Sequence, residues 1–429
     1  METNKFLNLS FCFILFFMLF IVPQKMKAQE AFDTTVIKKI TILYTNNTNG
    51  SLEPCGCPGN KAGGMAQRMT IINEERKKDP DLLLFDAGDF FPTKPNIYHP
   101  DPVIEIMNLM RYDAVTLGDQ EFVNGFEYLQ KKLLNMKFEV LNTNMTVDKN
   151  VLFTKPSVVI EKKGLKIGVL GIISPNTFTF LPKENLGPIK FVNFVDSCKY
   201  ILQTFHKEVN IVIALSHMGK SGDADFASTL YWMDIIIGAH DGALMDKPYI
   251  VNNMPIFQAG INGDHVGKIV IEYDTSARKI RSMKTESIFV DKKIAKDPEA
   301  DAIIKNYDKN TPLFTDTEGN RKMLGANYCR KCHLEIFEKW IRSRHSQALA
   351  TIKNERKIMH SNTCYICHVT NMNSNNLYGV ECESCHTISK GHDTTRVKLV
   401  ITEEVCKNCH TKDRSPNFDF IQYKEKIKH

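Results

Sequence analysis

The sequence has no internal repeat at solenoid spacing, which excludes a stacked-repeat architecture. Beyond its first thirty residues it has no apolar run long enough for a membrane-spanning helix. Charge of one sign is not in large excess: the net charge is +6, with 43% apolar and 24% charged residues, the balance of an ordinary globular protein. The exceptional run is Phe6 to Val22, preceded by Lys5 and followed by small or polar residues through Ala28 and Gln29. This is the layout of a secretory signal. At 17 residues it is also near the lower limit for spanning, so residues 1–28 are read either as a cleaved signal or as one N-terminal membrane anchor. Leu9-Ser10-Phe11 before Cys12 is a poor lipid-attachment context, and no lipoprotein is expected. Both readings place the chain outside the cytoplasm, in the periplasm or on the outer face of the membrane.

A chain of 429 residues exceeds what one hydrophobic core usually supports, so at least two domains are expected. Apolar strand-like runs alternate with helical stretches over 36–290. A charged linker follows over 291–324, with a short helix expected between Asp297 and Asn320, and a cysteine-rich region closes the chain over 325–429.

The twelve cysteines fall into two classes. Eight form four C-x-x-C-H motifs: Cys329, Cys332 and His333; Cys364, Cys367 and His368; Cys382, Cys385 and His386; Cys406, Cys409 and His410. Each is a c-type haem attachment signature. Two thiols three residues apart can add to both vinyl groups of one porphyrin while the next histidine reaches the iron. Paired C-x-x-C units also build zinc ribbons, but a ribbon does not require histidine after the second cysteine, and here all four motifs have it. The cofactors expected are therefore four c-type haems, with His333, His368, His386 and His410 as proximal ligands. His345, His392 and His429 are the expected distal ligands, with Trp340, Ser343 and His345 on one helix, and His360 is a further candidate beside Cys364. Residues 321–429 hold 19 Lys plus Arg against 11 Asp plus Glu, an excess of eight, about what the propionates of four haems would neutralise. No nucleic-acid partner is expected; redox partner proteins are.

The stretches ANYCRKCHLEIFEKWIRSRHSQA, CYICHVT and GVECESCH, within residues 325–429, resemble the tetrahaem cytochrome family typified by the electron acceptor of bacterial hydroxylamine oxidation. The resemblance implies a mostly helical, haem-packed domain in which three haems are bis-histidine carriers. The haem at the motif followed by Val-Thr, here Cys364, Cys367 and His368, would have an open iron face.

In the first domain, polar residues end the apolar runs: Asn47 and Asn49 in TNNTNG, Asp89 in DAGD, Asp119 and Gln120 in GDQEF, His217 in LSHMG and His240 in GAHDG. Such runs mark an α/β sheet with ligand groups at its carboxyl edge. Their order and spacing over roughly 37–275 resemble the calcineurin-like metallophosphatases, most closely the 5′-nucleotidase branch that includes the thiosulfohydrolases of sulfur oxidation. That resemblance implies a four-layer α-β-β-α sandwich. The family pattern has aspartate and histidine where this chain has Asn47 and Asn49, an Asn-His pair at Asp119 and Gln120, and a second ligand at Gly242. These departures strip one metal position and remove the histidine expected to protonate the leaving group. Asp89, Asp119, His217 and His240 remain as a site for a single divalent ion, Mn, Fe or Zn.

Cys55 and Cys57 lie in a glycine-rich loop, LEPCGCPGNKAGG, and read equally as a loop disulfide or as a redox pair or soft-metal site. Cys198 reads as a buried core residue, and His99, His206 and His265 as surface or core histidines. Three functions are consistent with these residues. The chain is an electron-transfer cytochrome with the first domain as scaffold or single-metal site, a metal-dependent phosphoesterase with an appended cytochrome, or an oxidoreductase acting on a small sulfur or nitrogen compound.

Overall fold

The computed structural model describes residues 36–54, 62–93, 99–147, 151–310, 325–353, 367–370, 379–386, 401–407, 409–411 and 415–428. Strands β1 (Ile37–Thr45), β2 (Leu83–Asp86), β3 (Ala114–Thr116) and β4 (Glu139–Leu141) lie parallel and side by side. β5 (Met145–Val147) and β6 (Val151–Leu152) start a small separate sheet. A second large sheet opens with the antiparallel pair β7 (Ser157–Lys162) and β8 (Leu165–Ile173). After β9 (Lys190–Phe191) closes the small sheet, β10 (Ile211–His217), β11 (Ile235–Gly238), β12 (Tyr249–Val251) and β13 (Met254–Phe257) complete the second. β14 (His265–Asp274) and β15 (Lys279–Phe289) return to the first sheet, β14 antiparallel to β1. The two large sheets read β15-β14-β1-β2-β3-β4 and β12-β13-β11-β10-β8-β7.

Side-chain alternation along the strands sets the layers. Ile40, Ile42 and Tyr44 of β1 meet Phe85, Ile167, Ile213 and Leu215 in a core that both sheets share. Leu43, on the opposite face, joins Leu84 and Val115 beneath α1 (Met65–Lys78), α2 (Pro100–Met110) and α3 (Phe126–Leu133). Val212 and Ala214 of β10 pack under α4 (Phe194–Glu208) and α5 (Gly219–Thr229), against Leu202, Phe205, Phe226 and the buried thiol of Cys198. Strands apolar on both faces thus yield four layers, α-β-β-α, and each fully buried Ile or Leu contributes about 1.5–3 kcal/mol. Tyr44 lies over Gly267, where a Cβ would come within 1.9 Å of the ring.

The helix expected within the linker is α6 (Pro298–Asn310), whose Ala300, Ile304 and Tyr307 belong to the first core. The wholly buried His99 fastens it. Because a carbonyl only accepts, His99 Nε2 donates to Gly50 O at 2.5 Å, and Nδ1 then accepts from Tyr307 Oη at 3.0 Å. Burial pushes the His99 imidazole down to about 4 despite the Gly50 bond.

The described part of the C-terminal segment consists of short helices, among them Ala326–Cys329, Leu334–Trp340, Ala348–Lys353, Glu403–Lys407 and Phe420–Ile427. Trp340, Ser343 and His345 do not share one helix as expected. The helix ends at Trp340, where Ser346 Oγ donates to the carbonyls of Ile341 (2.7 Å) and Ser343 (2.8 Å), which the next helical turn would have used. Trp340 Nε1 donates to Val380 O at 2.9 Å, and the amides of Gly325 and Ala326 donate to Glu383 and Glu381. These bonds hold the first and third cysteine motifs together.

Candidate functional site

Parallel strands deliver their carboxyl ends to one edge, so the residues after β1, β2, β3, β10 and β11 converge there. The amides of Asn47 and Asn49 donate to the carbonyls of Gly88 and Asp89, at 2.9 and 2.8 Å. Asn47, Asn49, Asp89 and His240 all have positive φ, between 45° and 88°. Left-handed backbone of this kind gathers at functional sites because surrounding structure must enforce it. Gly118 is required at the next strand end, since a Cβ there would lie 2.1 Å from Asp89 Oδ1.

Of the two aspartates in DAGD, Asp89 faces the site, while Asp86 turns back to accept from Thr45 Oγ1 and the Gly88 amide. His217 Nδ1 donates to Ala87 O at 2.8 Å, which leaves Nε2 facing Asp89 Oδ1 (3.3 Å) and Asp119 Oδ1 (3.5 Å). His240 Nδ1 lies 3.3 Å from the same Asp119 oxygen. Asp89 and His217 are buried, Asp119 is half-buried and His240 is exposed, so the cluster opens toward solvent on the His240 side. One ligand atom from each of the four residues lies within 4.8 Å of all the others.

This donor set fits a single divalent cation. His217 Nε2 and Asp119 Oδ1 are buried without a hydrogen-bond partner, and such groups in a native interior call for an explanation. Two carboxylates and two imidazoles suit Mn, Fe or Zn. Burial alone would depress the His217 imidazole, but the charges of Asp89 and Asp119 raise its pKa well above the ordinary value. Asp119 runs the opposite way: both imidazoles outweigh its burial and hold its carboxyl near 2. Gln120 Nε2 donates to Asp89 Oδ2 at 3.0 Å, so it braces a ligand and offers no proton for a leaving group.

Two contributors carried no signal in the sequence. Glu121, wholly buried, accepts from the amides of Asp89, Phe91 and Gly118 and so clamps two ligand-bearing loops. Asn262 donates its amide to Asn47 O at 2.7 Å and shares a side-chain bond with Asn49 at 3.1 Å.

Seven of the eight motif cysteines are described, and no disulfide joins any two of the described cysteines. Two motif histidines have ring nitrogens with assigned partners that leave Nε2 free. His368 Nδ1 donates to Ala348 O at 2.9 Å, and His410 Nδ1 pairs with Ser415 Oγ at 3.1 Å while its ring stacks on Phe418. His345 lines a cavity with Trp340, Cys382, Cys385 and His386, and its ring centroid is 6.0 Å from that of His410. Thiol pairs with a following histidine fit covalent haem. Cys55, Cys57, His360, Cys364, His392 and His429 lie outside the described residues. Cys198 is fully buried, its thiol within 3.5 Å of Thr143 Oγ1. Among the remaining histidines, His206 packs against Trp232 and His265 against Phe289.

Comparison with known proteins separates the two parts of the chain. A 5′-nucleotidase from the venom of Naja atra is 27% identical over 325 residues, covering 67% of this chain and 60% of its own length. The N-terminal part is homologous to the 5′-nucleotidases. Among solved structures, the 5′-nucleotidase precursor of Thermus thermophilus superposes with a TM-score of 0.57 at 24% identity, over 63% of this chain and 59% of that one. The sulfate thiohydrolase SoxB of the same organism superposes with a TM-score of 0.58 at 16% identity, over 65% and 62%. The fold is therefore that of the metallophosphatases, as the strand-end residues implied. The chain spans about half the length of the curated relatives it matches. Residues 328–387 match the family described as cytochrome c554 and c-prime, a stretch that holds three of the four cysteine motifs.

Proposed function

We propose that the chain is an exported electron-transfer protein that carries four c-type haems, built onto a phosphoesterase-like domain that holds one divalent ion. The observation that carries this reading is the motif set: four thiol pairs, each followed at once by histidine. The haem groups would supply reversible one-electron chemistry. The chain's own residues would hold them: Cys329, Cys332, Cys364, Cys367, Cys382, Cys385, Cys406 and Cys409 by thioether bonds, and His333, His368, His386 and His410 at the irons. Ala348 and Ser415 orient the rings of His368 and His410. His345, His392 and His429 are the distal ligands in this reading, and redox proteins are the partners. The test is the mass of protein made with haem-attachment machinery. Four haems per chain are expected, and a lower number overturns the reading.

A second reading, hydrolysis of a phosphate ester at the first domain, has the four-ligand cluster and the 5′-nucleotidase relatives in its favour. For the domain itself, the comparisons support it better than they support electron transfer, because the relatives span far more of the chain than the cytochrome match does. The chemistry of the residues argues against it. A two-metal site clamps both attacking and leaving oxygens, while one ion acts on only one of them. Gln120 cannot replace an acid whose usual contribution is about 10²–10⁴-fold. Phosphate release from nucleoside monophosphates by the manganese-loaded chain would establish this second reading.

A further inference from the structure

A cation lies wholly buried behind the loop that follows β1. Arg68 of α1 is 1% exposed. Its Nη1 donates to Thr48 Oγ1 at 2.9 Å and the guanidinium also bears on the Tyr112 hydroxyl, while Nε and Nη2 are buried without a hydrogen-bond partner. A guanidinium taken out of water and left half-satisfied is costly, so packing alone does not account for it. Its counter-charge is the equally buried Asp86, whose carboxyl is pushed up to about 6 by burial against the pull of Arg68.

Arg68 meets the chain on both sides of Asn47. Thr48 is the next residue. From the other side Asn262 donates its amide to Asn47 O at 2.7 Å, and Asn262 is followed by Gly263, at φ 72°, where a Cβ would lie 1.9 Å from Arg68 Nη2. The guanidinium thus fills the space that a side chain at 263 would need, and the turn is built around it. Asn47, held in this way, reaches the metal cluster: its Oδ1 accepts from the His240 amide at 3.1 Å. His240 has φ 88°, a left-handed backbone that persists only where its surroundings enforce it. His217 is fixed separately, as the last residue of β10 and by its bond to Ala87 O.

We propose that Arg68 is a positioning residue of the metal site: it fixes Asn47 through Thr48 and the Gly263 turn, and Asn47 in turn fixes His240, while His217 stands without its help. The proposal rests on the reading that Asp89, Asp119, His217 and His240 hold one divalent ion.

Manganese titration of the full haem-loaded chain by calorimetry tests both. One ion per chain is expected, and failure to bind manganese overturns the single-metal reading and the proposal with it. Thr48→Val removes the acceptor of Arg68 but leaves Arg68 and Asp86 in place, and it should weaken manganese about 10-fold or more. In the parent chain His240→Ala should also weaken it about 10-fold or more, whereas added to Thr48→Val it should cost only about 2-fold further, because that ligand is already displaced. His217→Ala should cost the same factor in both backgrounds. Thr48→Val should also keep the buffer-dependent heat that reports the proton lost by His217 on metal binding. Damage to the whole site would instead abolish that heat and couple to both histidines alike. Arg68→Met combined with Asp86→Asn removes both buried charges at once and should reproduce the Thr48→Val pattern. Manganese binding by the parent with unchanged affinity in Thr48→Val, or with equal coupling to His217 and His240, leaves the single-metal reading standing and overturns the proposal.

Discussion

His217 Nε2 and Asp89 Oδ1 stand 3.3 Å apart, brought together by two different sheets, and the opposite ring nitrogen of His217 is already committed to Ala87 O. Without an ion between them, the carboxylates keep this imidazole protonated. A metal requires it neutral. Binding of manganese or zinc near neutral pH should therefore release a proton, and affinity should rise with pH until the raised pKa of His217 is passed. Calorimetry in two buffers of different ionisation heat measures the release directly. A buffer-independent heat would contradict the assignment of His217 as a ligand, and His217→Ala should lower affinity by about 10-fold or more.

Hydrolysis should not be recoverable by metal alone. With Asn47 and Asn49 unable to supply the missing charge and imidazole, and Gln120 tied to Asp89, manganese-dependent phosphate release should need the combined substitutions Asn47→Asp, Asn49→His and Gln120→His. Robust turnover by the unaltered chain would sink this expectation.

The haem proposed at Cys364, Cys367 and His368 should differ spectroscopically from the other three. Those have candidate distal ligands in His345, His392 and His429, whereas His360 lies only four residues before Cys364, a short tether for reaching the far face of a porphyrin. A high-spin signal that changes with nitric oxide or cyanide, beside persistent low-spin signals, is the expected result. Four low-spin haems inert to both ligands would make the chain purely an electron carrier.

Asp223 should make stability fall as pH rises. Its side chain is wholly buried behind the site, with Oδ1 accepting from Ser216 Oγ. Burial, with Asp241 adding to it, pushes its carboxyl up to about 8. In the unfolded chain the same group titrates near ~3.9. Between those values the folded state holds a proton that the unfolded state has released, so its contribution is full below about pH 4 and is lost as pH climbs to about 8. The slope can approach about 1.4 kcal/mol per pH unit, one proton's worth. Urea unfolding of Asp223→Asn over this range should show a flatter profile than the parent, and an unchanged slope would remove Asp223 as its source.

Much of the first domain was legible because its signals are local. The strands that deliver the site, β2, β3, β10 and β11, are buried on both faces, and Asp89, Asp119, His217 and His240 stand at or within three residues of their ends, so chain order alone carried them to one edge. Glu121 and Asn262 escaped notice because their roles depend on backbone amides and side chains contributed by distant loops. Arg68 is a similar case: nothing in GMAQRMT marks it, yet it is 1% exposed and reaches Thr48 Oγ1 at 2.9 Å. The helix end at Trp340 was missed for the opposite reason. LEIFEKWIRSRHSQALA has continuous helical propensity, and competition from serine hydroxyls decides the boundary.

The buried contact between His99 and Tyr307 also determines where this protein can be cut. Because α6 contributes Ala300, Ile304 and Tyr307 to the first core, it unfolds with the sandwich and not before it. A protease that cleaves just after Asn310 should leave a resistant fragment that still melts cooperatively. Ending the chain before Pro298 would open a groove along α1 and α2 and leave the Nδ1 acceptor of His99 without its tyrosine partner. The contacts of the first core thus run on through α6, although the sequence begins to look like a linker some twenty residues earlier.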